Sequence, residues 1–195
     1  MRRFTNRIIR IRRGVAYVDI ATDRFPHAIT KIDQSDIPIM LDGRQRWFMF
    51  EREPGQCYVA RSLRFRKKRR FELLHRTILG LRSRDPNVDH RSGDGTDNRR
   101  VNLRRATQQQ NVRNTRGRGG SSRYKGVCWD RARQLWSVGI GLDGRRLHIG
   151  RFASERRAAR AYDDAAADLY GEFARFNFPK SSARKNRSRR RTKHE

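Results

Sequence analysis

The stretch from Leu135 to Gly171 restricts the fold of this chain more than any other. Two runs rich in strand-forming residues, LWSVGIGL and RRLHIGRF, are joined by Asp143-Gly144, a pair typical of tight hairpin turns. The segment SERRAARAYDDAAADLYG follows, with small apolar side chains at helical spacing and Ser154 at a suitable N-cap position. Gly171 stands where a helix often ends. The pattern predicts a hairpin packed on an alanine-rich helix.

A third strand candidate, YKGVCW, precedes the hairpin and completes a small α+β unit over residues 124–179. Alternation along the hairpin predicts a buried face made of Val138, Ile140, Leu142, Leu147 and Ile149. The opposite face then carries Gly139, Gly141, Arg146 and His148. Bare glycines beside cations suit close approach to a nucleic-acid backbone, although glycines that merely ease strand twist would look the same.

The charge of the chain limits which classes of partner it can bind. The chain has 48 Lys and Arg against 20 Asp and Glu, a net charge of +28. A polyanion is needed to offset such an excess, and nucleic acid is the first candidate. A membrane surface is the rival, but no stretch approaches the roughly 18 apolar residues of a spanning helix and no basic amphipathic helix stands out. We expect a monomer that binds double-stranded DNA and no membrane.

The two cysteines and the N-terminal stretch indicate in which cellular compartment the protein is expected. Cys57 and Cys128 form no C-x-x-C pair, which argues against zinc and favours two packed thiols in a reducing compartment. MRRFTNRIIRIRRG lacks an apolar core, so a basic first strand is favoured over a secretory signal, although transit peptides are also Arg-rich. We expect a protein that is not secreted. It would be cytoplasmic or nucleoid-associated in a bacterial or phage-infected cell, or nuclear in a eukaryotic one.

The chain divides by pattern into five parts. Residues 1–70 form a β-rich region with the strand candidates GVAYVDIA, RQRWFMF and CYVARSLRF. We interpret its aromatic residues as core rather than as a stacking platform: Trp47, Phe48, Phe50 and Tyr58. Residues 71–116 begin with a predicted helix, FELLHRTILGL, and hold the candidate chemistry. Residues 117–123 are a flexible basic linker, residues 124–179 the unit above, and residues 180–195 a basic disordered tail.

Candidate chemistry is concentrated in VDHRSGDGTDNRRVNLRRATQQQNVRN, residues 88–114. Asp89 offers an oxygen ligand for Mg²⁺, and the neutral imidazole of His90 can take a proton from water near pH 7. VNLRRA is a predicted return strand, and Thr107 with Gln110 fits a capping box that starts a helix containing Asn111. We interpret Asp94, Asp97 and Asn98 as turn residues, and His75 as a packing residue or phosphate contact.

Three stretches, LHRTILG, VDHRSGDGTDNRRVNLR and QQQNVRN, resemble the HNH endonucleases of the phage and intron homing type. The resemblance implies a ββα-metal module in which His90 is the general base and Asn102 orients it. It also implies that Asp89 and Asn111 hold one divalent ion, Mg²⁺ or Mn²⁺, and no zinc. Arg104 and Arg105 of the return strand are expected DNA contacts.

The blocks YKGV, HIGRF, AARAYDDAA and FNFP are similar to those of the AP2/ERF DNA-binding domain. The resemblance implies a three-stranded sheet that lies in the major groove. The expected DNA-binding residues of this domain are Lys125, Arg131, Arg133, Gly139, Gly141, Arg146 and His148. Cys128 and Gly141 stand where plant members have arginines, and Gly139 replaces an acid, so the base preference of those proteins does not carry over.

Together the two resemblances predict a metal-dependent DNA endonuclease of the HNH homing type, targeted by an AP2-like domain and cutting or nicking duplex DNA by His-activated water. The first alternative is a non-catalytic, sequence-specific transcription regulator of the AP2/ERF type. The second is an RNA-binding protein, which the deep, narrow major groove of A-form RNA disfavours because a sheet does not enter it.

Overall fold

The computed structural model describes residues 6–43, 45–65, 68–82, 84–117 and 119–179. The chain is an α+β protein with two compact units, Met1–Asn114 and Thr115–Glu195. The predicted basic tail, residues 180–195, lies outside the described residues. Within the described part, no helix combines the length and apolar character needed to cross a membrane.

The N-terminal unit begins with two antiparallel sheets of three strands each, both in sequential order. The first contains β1 Ile8–Arg12, β2 Val15–Asp19 and β3 Ile29–Asp33, and is followed by the short helix α1 Ile37–Met40. The second contains β4 Phe48–Glu53, β5 Gln56–Phe65 and β6 Lys68–Leu73, and leads into α2 Leu74–Ile78. The predicted strands GVAYVDIA and CYVARSLRF and the basic first strand are confirmed, whereas the strand predicted over RQRWFMF begins only at Phe48.

A strand pair and a helix complete this unit. They are β7 Asn87–His90, β8 Leu103–Ala106 and α3 Gln108–Arg113, with a single 3-10 turn at Arg100–Asn102 before β8. The predicted capping box is present: Thr107 accepts from the Gln110 backbone N–H, and the Gln110 side chain accepts from the Thr107 backbone N–H. This cap satisfies two N–H groups that α3 would otherwise leave open. The strand-loop-strand-helix order of residues 87–113 therefore matches the sequence prediction.

One core connects both halves of the N-terminal unit. Trp47 and Ile32 from the β-rich region belong to the same buried cluster as Leu74 and Leu103. The predicted division near residue 70 is thus not a division of the hydrophobic core. The core prediction is confirmed for Trp47, but Phe48, Phe50 and Tyr58 are half-buried and lie on the sheet face opposite Met49 and Val59.

The helix predicted from Phe71 starts three residues later. Phe71, Glu72 and Leu73 pair with Ser62, Arg61 and Ala60 of β5 and so belong to β6. Cross-strand pairing overrides the local helical spacing here, because three backbone positions gain ladder hydrogen bonds.

The C-terminal unit is a three-stranded antiparallel sheet packed on one long helix. Its strands are β9 Val127–Asp130, β10 Leu135–Leu142 and β11 Arg145–Phe152, with β10 in the centre, and its helix is α4 Glu155–Tyr170. Asp143 and Gly144 both have positive φ, 49° and 79°, as a type I′ hairpin turn requires. Ser154 accepts from the Arg157 N–H and Gly171 has φ 53°, so both predicted ends of α4 are confirmed.

The core of this unit combines β-branched side chains of the sheet with small side chains of the helix. Buried members are Val127, Val138, Ile140, Ala158, Ala159, Tyr162, Ala166 and Tyr170. Two residues of the predicted linker also belong to this structure. The Ser122 hydroxyl contacts Glu155 at 2.7 Å, and the Ser121 hydroxyl accepts from the Trp129 N–H at 2.7 Å.

The predicted buried face is wrong for Leu147 and Ile149. Their exposed fractions are 39 % and 37 %. Val138 opposes Gly150 and Gly139 opposes His148, so a bulge leaves Ile149 without a partner. Leu147 does pair with buried Ile140, but it lies on the edge strand, which α4 covers less fully than the central strand.

Candidate nucleic-acid interface and candidate hydrolytic site

The exposed face of the β9–β11 sheet, here called the open face, collects glycines and cations. In the register Gly139 opposes His148 and Gly141 opposes Arg146, which places these four residues on one side as predicted. Alternation adds further residues to the open face: Cys128, Ser137 and Arg151. Cys128 is exposed there, so the prediction of a packed thiol is wrong for this residue, whereas Cys57 is partly buried.

Arg146 lies across the bare backbone of Gly139. A Cβ atom at Gly139 would be 2.4 Å from Nε and 3.0 Å from Cζ of Arg146. The guanidinium therefore occupies the space that any other residue would fill with its own side chain. At Gly141 a Cβ atom would meet nothing closer than 3.8 Å, so the sheet backbone is open to an approaching ligand.

One acid organises the arginines beside this face. Asp130 accepts from Arg151 Nε at 3.0 Å and from the Arg133 backbone N–H at 3.2 Å. The hydrogen bond from Arg151 lowers the pKa of Asp130. Arg151 also lies 3.4 Å from His148 Nε2. Sequence reasoning missed Arg151. The bulge shifts the alternation of β11 by one residue, so simple alternation from Arg146 and His148 does not place Arg151 on the open face.

The remaining predicted contacts of this unit differ in exposure. Arg131 and Arg133 are exposed in the turn between β9 and β10. Lys125 is partly buried, and its ammonium group donates to the Thr115 carbonyl at 2.8 Å. Burial lowers the pKa of Lys125 to about 8. Because an ammonium group has three N–H donors, the bond to Thr115 does not by itself exclude a contact between Lys125 and a phosphate.

In the N-terminal unit the Asp89 carboxylate is already well paired. It accepts from Arg104 at 2.8 Å and 2.5 Å, and both residues are buried. The Asn114 amide donates to both Asp89 oxygens at 3.0 Å. The burial of Arg104 does not suit the predicted DNA contact, whereas Arg105 is exposed. Neither the Arg104 pair nor the Asn114 contact was foreseen from the sequence.

His90 follows Asp89 on β7 and its ring is buried. Its Nε2 lies 3.3 Å from Asn98 Oδ1. The Asn98 amide nitrogen donates to Thr30 Oγ1 and to the Gly95 carbonyl, which assigns the oxygen to the side facing His90. An amide oxygen only accepts, so Nε2 carries the proton and Nδ1 keeps its lone pair. Burial lowers the pKa of His90, which keeps the ring neutral.

Asn98, interpreted from sequence as a turn residue, thus takes the position next to His90 that was predicted for Asn102. Asn102 instead closes the loop after β7. Its oxygen accepts from the Ser92 N–H at 2.9 Å, and its nitrogen donates to the Asp97 carbonyl at 2.7 Å. The Asn102 side chain thus holds this loop rather than the imidazole ring, and its backbone carbonyl accepts from the Arg91 N–H next to His90.

Asn111 has an open hydrogen-bonding position. It lies on α3, which packs against β7, and its buried side-chain oxygen has no hydrogen-bond partner among the residues that the structure describes. Unpaired buried acceptors are rare in proteins, because leaving one unsatisfied costs about 1–3 kcal/mol. A cation or a water molecule would satisfy this oxygen.

The donor types of Asp89 and Asn111 fit one hard divalent cation, since both offer oxygen. The unsatisfied Asn111 oxygen supports that fit, while the Asp89 carboxylate would have to exchange contacts with Arg104 or Asn114. Among the described residues there is no cluster of three or more His, Cys, Asp or Glu side chains able to hold a metal.

His75 packs beside this site. Its ring centroid is 5.0 Å from that of His90 and 5.7 Å from that of Tyr58. It is 4 % exposed, and burial lowers its pKa to about 3. This placement confirms a packing position for His75.

Comparison with known proteins supports the AP2/ERF resemblance. The chain is 52 % identical over 40 residues to dehydration-responsive element-binding protein 2A of Arabidopsis thaliana, covering 20 % of this chain and 12 % of that protein. It is 44 % identical over 72 residues to dehydration-responsive element-binding protein 2D of the same plant, covering 34 % of each. An AP2-like ethylene-responsive transcription factor, also from Arabidopsis thaliana, is 40 % identical over 62 residues, covering 32 % of this chain and 12 % of that protein.

The chain thus spans about an eighth to a third of the length of these relatives. No protein-family model matches the chain. No solved structure matches it either. The comparisons support an AP2/ERF-type region and contain nothing that supports the HNH resemblance.

Proposed function

We propose that the C-terminal unit binds double-stranded DNA through the open face of its sheet. The observation that carries the proposal is the position of Arg146, whose guanidinium lies over Gly139 beside His148. The names of the similar plant proteins, element-binding protein and transcription factor, support the same function for this unit.

The open face has the properties that a groove-binding sheet needs. Gly141 leaves the backbone of the central strand open to a groove wall, and Gly139 makes room for the Arg146 guanidinium to lie against that strand. A planar guanidinium held against that backbone can form two parallel hydrogen bonds with a guanine edge or a phosphate. The net charge of +28 adds attraction to the phosphates that does not depend on sequence.

The test compares two neighbouring arginines. Arg146→Ala should weaken duplex binding by about 1–3 kcal/mol, or about 5- to 150-fold in Kd, if Arg146 contacts a base edge. Arg145→Ala is the matched control, because Arg145 is exposed on the same strand but alternation places it on the opposite face. Equal losses for both variants, measured by fluorescence anisotropy with one duplex, would refute the open face as the contact surface.

Two further measurements refine the proposal. If Arg146 contacts only phosphate, its loss should weaken all duplex sequences alike and reduce the salt dependence by about one unit of slope. Competition between duplex DNA and duplex RNA tests the RNA alternative, and preferential binding of RNA would favour it.

We propose a second function for the N-terminal unit, metal-dependent hydrolysis of a DNA phosphodiester by His90 with Asp89 and Asn111. The unsatisfied, buried Asn111 oxygen is the observation that favours it. A divalent cation, Mg²⁺ or Mn²⁺, held by Asp89 and Asn111 would offset charge on the phosphate oxygens. His90 Nδ1 would accept the proton of the attacking water, with Asn98 holding the ring through Nε2.

The second function is tested with supercoiled plasmid in Mg²⁺. His90→Ala should reduce cleavage by about 10²- to 10⁴-fold, as loss of a general base typically does, with duplex binding retained. The exposed histidine His27 supplies the control variant His27→Ala, which should cleave normally. Cleavage that survives excess chelator, or normal cleavage by His90→Ala, would contradict the assignment. A wild-type protein that binds duplex without cutting it would leave the non-catalytic regulator as the function of this chain.

A further inference from the structure

One face of the β4–β6 sheet carries a group of partly exposed aromatic rings, here called the aromatic face: Phe48, Phe50, Tyr58 and Phe71. Phe50 opposes Tyr58 on β5, and the rings of Phe50 and Phe71 are stacked with centroids 5.2 Å apart and planes 23° apart. Phe48 meets Phe71 edge-on at 6.3 Å. The outermost ring, Phe71, is 55 % exposed.

This exposure is unusual for a phenylalanine that already has two aromatic neighbours. Phe48 and Phe50 restrain the Phe71 ring, and more than half of the Phe71 surface remains accessible to a further flat group. An exposed ring that is fixed in this way can stack on a ligand with little loss of side-chain entropy.

Cations continue the aromatic face at one end. Arg64 and Arg69 oppose each other across β5 and β6, and both are exposed. Arg69 lies two residues before Phe71, and Arg64 lies two residues after Ser62, the partner of Phe71. Because strand side chains alternate, both arginines lie on the same side as Phe71. Within the described part of the chain, neither forms an ion pair.

The other end of the aromatic face reaches the candidate hydrolytic site. The Tyr58 ring centroid is 6.1 Å from that of His90 and 5.7 Å from that of His75. A chain that lay along this face would run from the paired arginines, across Phe71 and Phe50, toward Tyr58.

We infer that the aromatic face binds single-stranded DNA, with an unpaired base stacked on Phe71 and phosphates held by Arg64 and Arg69. Duplex DNA presents its base faces only to each other, so an exposed ring gains a stacking partner only from an unpaired base. A second copy of this chain is a poor occupant, since it would bring the two pairs of arginines together. The inference is independent of duplex binding by the open face and of hydrolysis at His90.

The test uses the full chain and a fluorescein-labelled oligomer of deoxythymidine, which forms no duplex. Phe71→Ala should weaken binding by about tenfold, within the range for loss of one base–aromatic stack. Phe71→Leu keeps an apolar side chain without the ring and should lose a similar amount, whereas Phe71→Trp should bind at least as tightly as the original protein. Ile11→Ala is the matched control, because Ile11 is 47 % exposed on the other sheet of the same unit.

Circular dichroism of each variant checks that the fold persists, as expected for a side chain that is more than half exposed. Arg146→Ala separates this inference from duplex binding, because it should leave the effect of Phe71→Ala on the oligomer unchanged. Unaltered oligomer affinity in a folded Phe71→Ala protein would overturn the inference. Equal losses in Phe71→Ala and Ile11→Ala, or full affinity in Phe71→Leu, would also overturn it, since stacking would then not be the source of binding.

Discussion

Acidification should destabilise the N-terminal unit through His75. This side chain is 4 % exposed, and burial lowers its pKa from 6.5 to about 3. Between those two values the unfolded chain binds a proton at His75 that the folded chain does not bind. The contribution of neutral His75 to stability is therefore fully present above pH 6.5 and is lost as the pH falls toward 3.

The size of the effect follows from the width of this window. Each pH unit inside it costs about 1.4 kcal/mol for one proton. Lowering the pH from about 7.5 to about 5 crosses roughly one and a half units of the window, so His75 alone should remove about 2 kcal/mol. His90 should add to the loss, because burial lowers its pKa as well.

The assay is urea unfolding followed by the fluorescence of Trp47, which is fully buried in the N-terminal unit. Replacing Trp129 and Trp136 by phenylalanine removes the signal of the C-terminal unit. The variant His75→Phe keeps a ring against Tyr58 and His90 but cannot take up a proton. Between about pH 7.5 and 5 the free energy of unfolding should fall in both proteins. The fall should be about 2 kcal/mol smaller in His75→Phe than in the protein that keeps His75. Identical pH dependence in the two proteins would refute the reasoning.

Three further predictions concern stability. Ile140→Ala should lower the free energy of unfolding by about 2–5 kcal/mol, and Leu147→Ala by less, because Ile140 is 1 % exposed and Leu147 is 39 % exposed. Equal losses of stability in thermal unfolding would contradict this order. Gly126→Ala should unfold much of the C-terminal unit at ambient temperature, since Gly126 has φ 77° and an added Cβ would lie 2.1 Å from the Tyr162 ring; a native circular dichroism spectrum would argue against it. Thr107→Ala removes the capping box of α3 and should cost about 1 kcal/mol in urea unfolding, whereas Thr107→Ser should restore most of it.

The sequence by itself determined the elements whose signals are local. The Asp143-Gly144 hairpin, the N-cap of α4 at Ser154 and the capping box at Thr107 depend on residues a few positions apart. Strand alternation also placed Arg146 with Gly139 correctly, because the side-chain period of two holds along a continuous strand. Local backbone sterics and hydrogen bonding decide such features before any distant contact forms.

Only the tertiary structure decided which residues from distant segments meet. A one-residue bulge left Ile149 unpaired, and edge position left Leu147 exposed, although alternation predicted both as core. Asn98 rather than Asn102 lies beside His90, because Thr30 of β3, far away in sequence, fixes the orientation of its amide. The partners of Asp89 and the aromatic face around Phe71 likewise depend on how strands pair and pack. Sequence spacing does not predict these contacts, because each forms between segments that are brought together only when the whole unit packs.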